Sequence, residues 1–160
     1  MIEGLLALAL ATPVVHAELK PFEFLVGSCW TGAFKDGSTD THCFEPVYGG
    51  AFVRDRHVVR GAAQPYEGET LHAWDPRQKK LVFTYWASDG SLTTGVSEPQ
   101  PSGAIVFPQE HDSPAGRMVL KSVWTPVGPD AYEVVVTQQK DGEWRELWRM
   151  TMKRDGLVGK

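Results

Sequence analysis

The feature that most constrains this chain is its punctuation. From residue 24 onward, turn signals alternate with short runs of strand-forming residues, the pattern of short-stranded β proteins. They are Lys35-Asp36-Gly37, Gly49-Gly50, Asp75-Pro76, Ser88-Asp89-Gly90, Pro99-Gln100-Pro101, Pro126 to Asp130 and Asp141-Gly142. Between them lie runs rich in Val, Thr, Phe, Tyr and Trp, at about 29–35, 40–47, 51–60, 69–75, 80–87, 91–97, 103–107, 117–125, 131–139 and 143–153. β-Branched and aromatic side chains suit a pleated, half-buried surface, and Gly, Asp and Pro suit the bends between such surfaces. No long stretch repeats its apolar residues with a helical period; Leu19 to Val26 is long enough only for a short helical turn. The stretch "PQEHDSPAG" (108–116) reads as an irregular loop. Short strands in hairpin order predict an all-β fold: one antiparallel up-and-down barrel of about eight to ten strands with a short N-terminal helical turn. Closure removes the unpaired edges that an open meander would expose.

A chain of 160 residues supports one domain with a real core. The net charge of -4 is mild, and no Lys/Arg block stands out, so the electrostatic footprint of nucleic-acid binding is missing. The apolar run Leu5 to Val15 is too short to span a bilayer, and Val15 and Ala17 match a small-residue cleavage site, although Met1 to Gly4 carries no Lys or Arg. Residues 1–17 are therefore expected to be a signal peptide and 18–160 the barrel domain, periplasmic or secreted, a monomer or homodimer.

Export bears on the two cysteines, because an oxidising compartment favours pairing them. Hairpin register is set by the turn. With Lys35-Asp36-Gly37 as a three-residue loop, Cys29 falls directly opposite Cys43, close enough for a disulfide. Two unpaired structural thiols, or a reactive Cys29, are the alternatives. With Gly49-Gly50 as the next loop, His42 falls opposite His57. A connection symmetric between Gly61 and Gly68 then puts His57 opposite His72. Three imidazoles in one lateral row could hold a zinc-type ion, form the polar end of a ligand pocket, or make a structural polar patch. Placing the cysteines outside turns Trp30, Phe34, His42, Phe44, Asp55, His57, His72 and Trp74 inward.

Alternation in the last strand puts Trp144, Glu146, Trp148, Met150 and Met152 on one face, the expected interior. Met118, Leu120, Ser122 and Trp124 share a face in the same way. Trp74, Trp124, Trp144 and Trp148 are thus candidate walls of a ligand pocket, with plain core filling as the alternative. His57, His72 and Glu146 are its candidate polar groups. Asp55 and Glu146 would form a general acid/base pair if both are interior. No nucleophile elbow, phosphate loop or zinc-protease helix motif is present, and no catalytic residue is assigned.

Several stretches carry a resemblance. "FLVGSCWTGAF" (24–34) is similar to the Gly-x-Trp opening of lipocalin-like (calycin) barrels, with one extra residue between Gly27 and Trp30. "YEGETLHAWDPRQKKLVFTYWASDGSLTTG" (66–95) and "KSVWTPVGPDAYEVVVTQQKDGEWRELWRMTMKR" (121–154) resemble bacterial lipocalin-like proteins of unknown function and, in pattern, nitrobindin-type haem barrels. The resemblance implies a late arginine over the opening tryptophan, here Arg149 or Arg154 over Trp30. Nitrobindin-type barrels hold haem through a histidine near the C-terminal end, whereas the last histidine here is His111, so no cofactor is expected. The expected function is binding of a small hydrophobic molecule; the alternative is a barrel hydrolase or isomerase using His42, His57 and His72, with or without metal.

Overall fold

A computed structural model of the chain describes residues 14–64 and 66–157. After a 3-10 turn at Ala17–Phe22 come ten strands: β1 Ser28–Ala33, β2 Thr39–Val47, β3 Phe52–Arg60, β4 Tyr66–Asp75, β5 Lys80–Ala87, β6 Leu92–Pro99, β7 Ile105–Ser113, β8 Gly116–Gly128, β9 Ala131–Lys140 and β10 Glu143–Leu157. Each pairs antiparallel with its sequence neighbours, and β1 pairs with β10, closing the barrel. All ten strands read from the turn signals are present. Among the described residues no helix is long and apolar enough to cross a membrane.

The predicted loop at 108–116 is instead strand, broken only by the turn between Ser113 and Gly116. Pro108 is tolerated because the β6–β7 ladder has no pairs between Gly95↔Gln109 and Glu98↔Val106, so its missing N–H costs no ladder bond there. A Cβ on Gly95 would come within 2.3 Å of the Pro108 carbonyl oxygen, so the two chains approach closely at the gap.

Register in the first two hairpins is as the turns predict: Cys29 pairs with Cys43 and His42 with His57. Cys29 and Cys43 are joined by a disulfide. Closing a loop of this size stabilises by roughly 3 kcal/mol on the chain-entropy account. The third hairpin differs. Val59 pairs with Tyr66, so the β3–β4 connection is shorter than the glycine spacing suggested, and His57 faces Gly68 while His72 faces Val53. The row of three histidines does not form.

One end of the barrel is filled. Trp30, Phe44, Val53, Ile105, Tyr132 and Met152 are buried there, over Leu19, Phe22 and Leu25 of the N-terminal turn and its continuation. The Trp30 indole N–H donates to the Leu25 carbonyl at 3.1 Å, tying turn to barrel. Of the expected leader, residues 1–13 lie outside the described residues; Val15 is buried and the His16 N–H donates to the Gly50 carbonyl at 2.9 Å.

Candidate functional site

Above this floor lies a cavity of about 930 Å³ that reaches the β1–β2 and β3–β4 connections at the other end. Its walls are largely apolar, with Phe83, Phe107, Leu120, Trp124, Val136 and Met150 among them. Polar side chains occur around the wall, but its buried carboxylates, Asp40 and Asp55, both come from β2 and β3. Along each strand alternate residues face inward, so Asp40 and His42 of β2 and Asp55 and His57 of β3 share the interior.

The four groups form a zigzag across the strand pair. His42 and His57 are directly opposed, and their rings stack at 4.3 Å between centroids. The carboxylates reach diagonally: the His42 Nδ1–H donates to Asp55 Oδ2 at 2.7 Å, and His42 Nε2 lies 3.3 Å from Asp40 Oδ2. His57 Nε2 lies 2.6 Å from Asp40 Oδ1, but off the hydrogen-bonding direction, so both atoms are buried without a directional partner. His57 Nδ1 is 3.0 Å from the Tyr85 hydroxyl. Both carboxylates are almost fully buried, at 4% and 2% side-chain exposure, which makes their imidazole partners obligatory.

Burial alone would favour neutral His42, but Asp55 and Asp40 together outweigh it and hold the ring well above its ordinary value. Burial would likewise raise Asp40; His42 and His57 overcome it and hold that carboxyl below its usual range. Tyr85 is pushed far up by burial and by Tyr66, and keeps its proton.

Gly68 is what admits Tyr85 to this arrangement. It sits opposite His57, and a Cβ there would lie 2.5 Å from the Tyr85 ring and 2.5 Å from the Trp86 carbonyl oxygen. The glycine leaves a gap into which the phenol leans to meet His57.

His72 lies apart, on the cavity floor. Its ring packs 4.5 Å from Phe22 and 5.7 Å from Phe83, and neither ring nitrogen finds a protein partner. Burial depresses it to about 4, with Asp55 opposing and His42 adding to the shift. His111, near the mouth, meets Thr93 Oγ1 at 2.9 Å.

Of the four tryptophans expected as walls, Trp124 and Trp148 line the cavity, Trp148 packing edge-on to Phe34. Trp74 does not. It belongs to the filled end, exposed beside Glu18 and Pro21 of the N-terminal turn. Trp144 and Glu146 are turned outward by a bulge: Glu146 pairs with Thr137 and Trp148 with Val136, leaving Leu147 as an extra residue that inverts the facing before it. Trp144 is exposed under the Lys121 ammonium, 4.4 Å from its ring. Glu146 sits at the rim, ion-paired to Arg149 at 2.7 Å, and so forms no interior acid/base pair with Asp55. Asp40 and Tyr85 escaped the sequence reading. The signal for Asp40 was available, because an Asp two residues before His42 in one strand must share its face.

The chain matches no known family model and no curated protein sequence.

Proposed function

We propose that the barrel binds one small, predominantly apolar molecule, with a polar group of that molecule turned toward the Asp40–His42–Asp55–His57 wall. The observation that carries this reading is the cavity itself: about 930 Å³, mostly apolar, with its two buried carboxylates, Asp40 and Asp55, on one side. That volume and lining are those of a site for one small organic ligand. Membership of the lipocalin-like barrels belongs to the same proposal and is supported by the barrel's closure and by Trp30 near its start. A periplasmic or secreted setting is supported by the Cys29–Cys43 disulfide.

Native mass spectrometry of purified protein, followed by titration with the neutral dye N-phenylnaphthylamine, tests the reading. The expected result is a co-purifying apolar molecule, or saturable one-to-one dye binding that an apolar competitor reverses. A bare polypeptide mass together with no saturable dye binding would overturn it.

The second reading, a barrel hydrolase or isomerase, is favoured by the 2.7 Å Asp55–His42 contact, which orients an imidazole that faces the cavity. Turnover of a small ester or ketone that disappears in His42→Gln would support it over simple binding.

A further inference from the structure

We propose that Asp40, His42 and His57 form a binding site for one divalent first-row transition ion, with zinc the best match, leaving coordination positions open toward the cavity. The inference goes beyond ligand binding and does not depend on it.

The argument begins with convergence. One donor atom from each of the three residues can be chosen so that all lie within 4.8 Å of one another. They come from adjacent strands rather than from loops, with Asp40 and His42 alternating on β2 and His57 facing them from β3. Donors held by paired strands are held precisely enough for coordination.

The second element is orientation. Metal-binding histidines commonly have their other ring nitrogen held by a carboxylate or another polar group, which sets tautomer and aim. Here His42 Nδ1 is held by Asp55 at 2.7 Å and His57 Nδ1 by Tyr85 at 3.0 Å. Both Nε2 atoms thereby lie beside the Asp40 carboxylate, at 3.3 Å for His42 and 2.6 Å for His57.

The third element is an unsatisfied pair. Asp40 Oδ1 and His57 Nε2 are buried, 2.6 Å apart, and misaligned for a hydrogen bond. Buried polar atoms without a directional partner are uncommon and call for an explanation. A cation beside them, coordinated by both, supplies one. On a tetrahedral ion with ligand bonds of about 2.0–2.1 Å, donors stand roughly 3.3 Å apart. His42 Nε2 already stands 3.3 Å from one Asp40 oxygen, and His57 Nε2, 2.6 Å from the other, needs to move out by less than one ångström.

Two imidazoles and one carboxylate suit a borderline ion such as Zn²⁺. Three protein ligands leave a fourth position, as in sites that bind water or substrate. This donor set differs from the histidine row expected from sequence: Asp40 takes the place of His72, whose nitrogens lie among aromatic rings on the floor.

The test strips the full protein with chelator and titrates it with Co²⁺ by visible absorption and with Zn²⁺ by calorimetry. The expected result is one ion per chain with a tetrahedral cobalt spectrum. Affinity should fall by at least about 100-fold in Asp40→Asn and His57→Gln, and by about tenfold or more in Asp55→Asn, which acts only through His42. His72→Leu should bind normally. No saturable binding at millimolar Co²⁺, or unchanged affinity in the folded Asp40→Asn or His57→Gln protein, would overturn the site. Near-UV circular dichroism reports folding. Zinc titration of ¹⁵N-histidine-labelled wild type covers the case in which both variants unfold: shifts at the His42 and His57 nitrogens support the site, and shifts confined to His16 and His111 sink it. Dye binding measured on stripped protein keeps the two proposals separate, because a cavity that rejects dye can still take up cobalt.

Discussion

The Arg154 guanidinium lies 4.3 Å over the Trp30 ring, joining the last strand to the first. It also donates to the carbonyls of Phe24 and Pro129 at 3.2 and 3.1 Å, to Asp130 at 3.0 Å and to the Ser28 hydroxyl. One side chain thus clamps the seam where the barrel closes and the segment beneath it. Of the two arginines that the lipocalin-like resemblance offered, Arg154 holds this place, while Arg149 pairs with Glu146 and Glu133 on the outer face.

Lysine cannot reproduce that set of contacts, because it lacks the planar fork. Arg154→Lys should therefore lower the unfolding free energy by about 2 kcal/mol, combining a weakened cation–π contact with lost hydrogen bonds. Arg149→Lys, at an ion pair that solvent screens, should cost far less. Urea unfolding of the two variants checks the contrast, and equal losses would contradict the clamp.

Gly68 offers a sharper probe of the cluster. Its Cβ would collide with the Tyr85 ring and with the Trp86 backbone, and only the ring can swing away. Gly68→Ala should therefore cost roughly 1–3 kcal/mol by overpacking and should break the Tyr85–His57 contact. The His57 ¹⁵N resonances should move as they do in Tyr85→Phe. Unchanged His57 resonances in a folded Gly68→Ala protein would show that the phenol does not need the gap.

How far each feature was legible depended on whether it was local. The Cys29–Cys43 bridge and the His42–His57 pair follow from short turns centred on Asp36 and on Gly49-Gly50, where the turn's centre dictates register. His72 falls elsewhere because Gly68, which reads as the end of the β3–β4 turn, lies within β4 opposite His57, so the connection is centred two residues earlier than the glycines suggest. Trp144 and Glu146 were misplaced because strict alternation has no way to anticipate the bulge at Leu147. Asp40 was readable from its spacing to His42. Tyr85 and Gly68 acquire meaning only once β4 and β5 are paired, since neither lies near His57 in sequence.

The bulge yields a prediction about the tryptophans. Trp124 faces the cavity and touches Phe107 at 4.6 Å between rings, whereas Trp144 lies outside beneath Lys121. Trp124→Ala should weaken N-phenylnaphthylamine binding by about tenfold or more, the scale of losing a large buried aromatic contact. Trp144→Ala should leave it within about twofold. Fluorescence titration of the two variants decides, and equal effects would place the dye somewhere other than the barrel interior.

His72 should make the fold acid-sensitive in a defined window. Its folded value is about 4, against about 6.5 for an unperturbed histidine. Between those values the unfolded chain takes up a proton that the buried ring refuses. Its contribution to stability is therefore fully present above about pH 6.5 and is lost progressively as pH falls toward 4, by about 3 kcal/mol in all. His42 responds in the opposite sense, because its carboxylate neighbours favour the charged ring, so the pH profile of the wild type alone mixes the two. The difference between wild type and His72→Leu isolates the His72 contribution, provided the substitution leaves His42 and its carboxylates in place. At neutral pH the variant should equal or exceed wild type, since it removes two ring nitrogens that lack protein partners. From pH 6.5 to 4 its advantage should widen steadily in urea titrations. A constant difference across that range would mean that His72 titrates normally in the folded barrel.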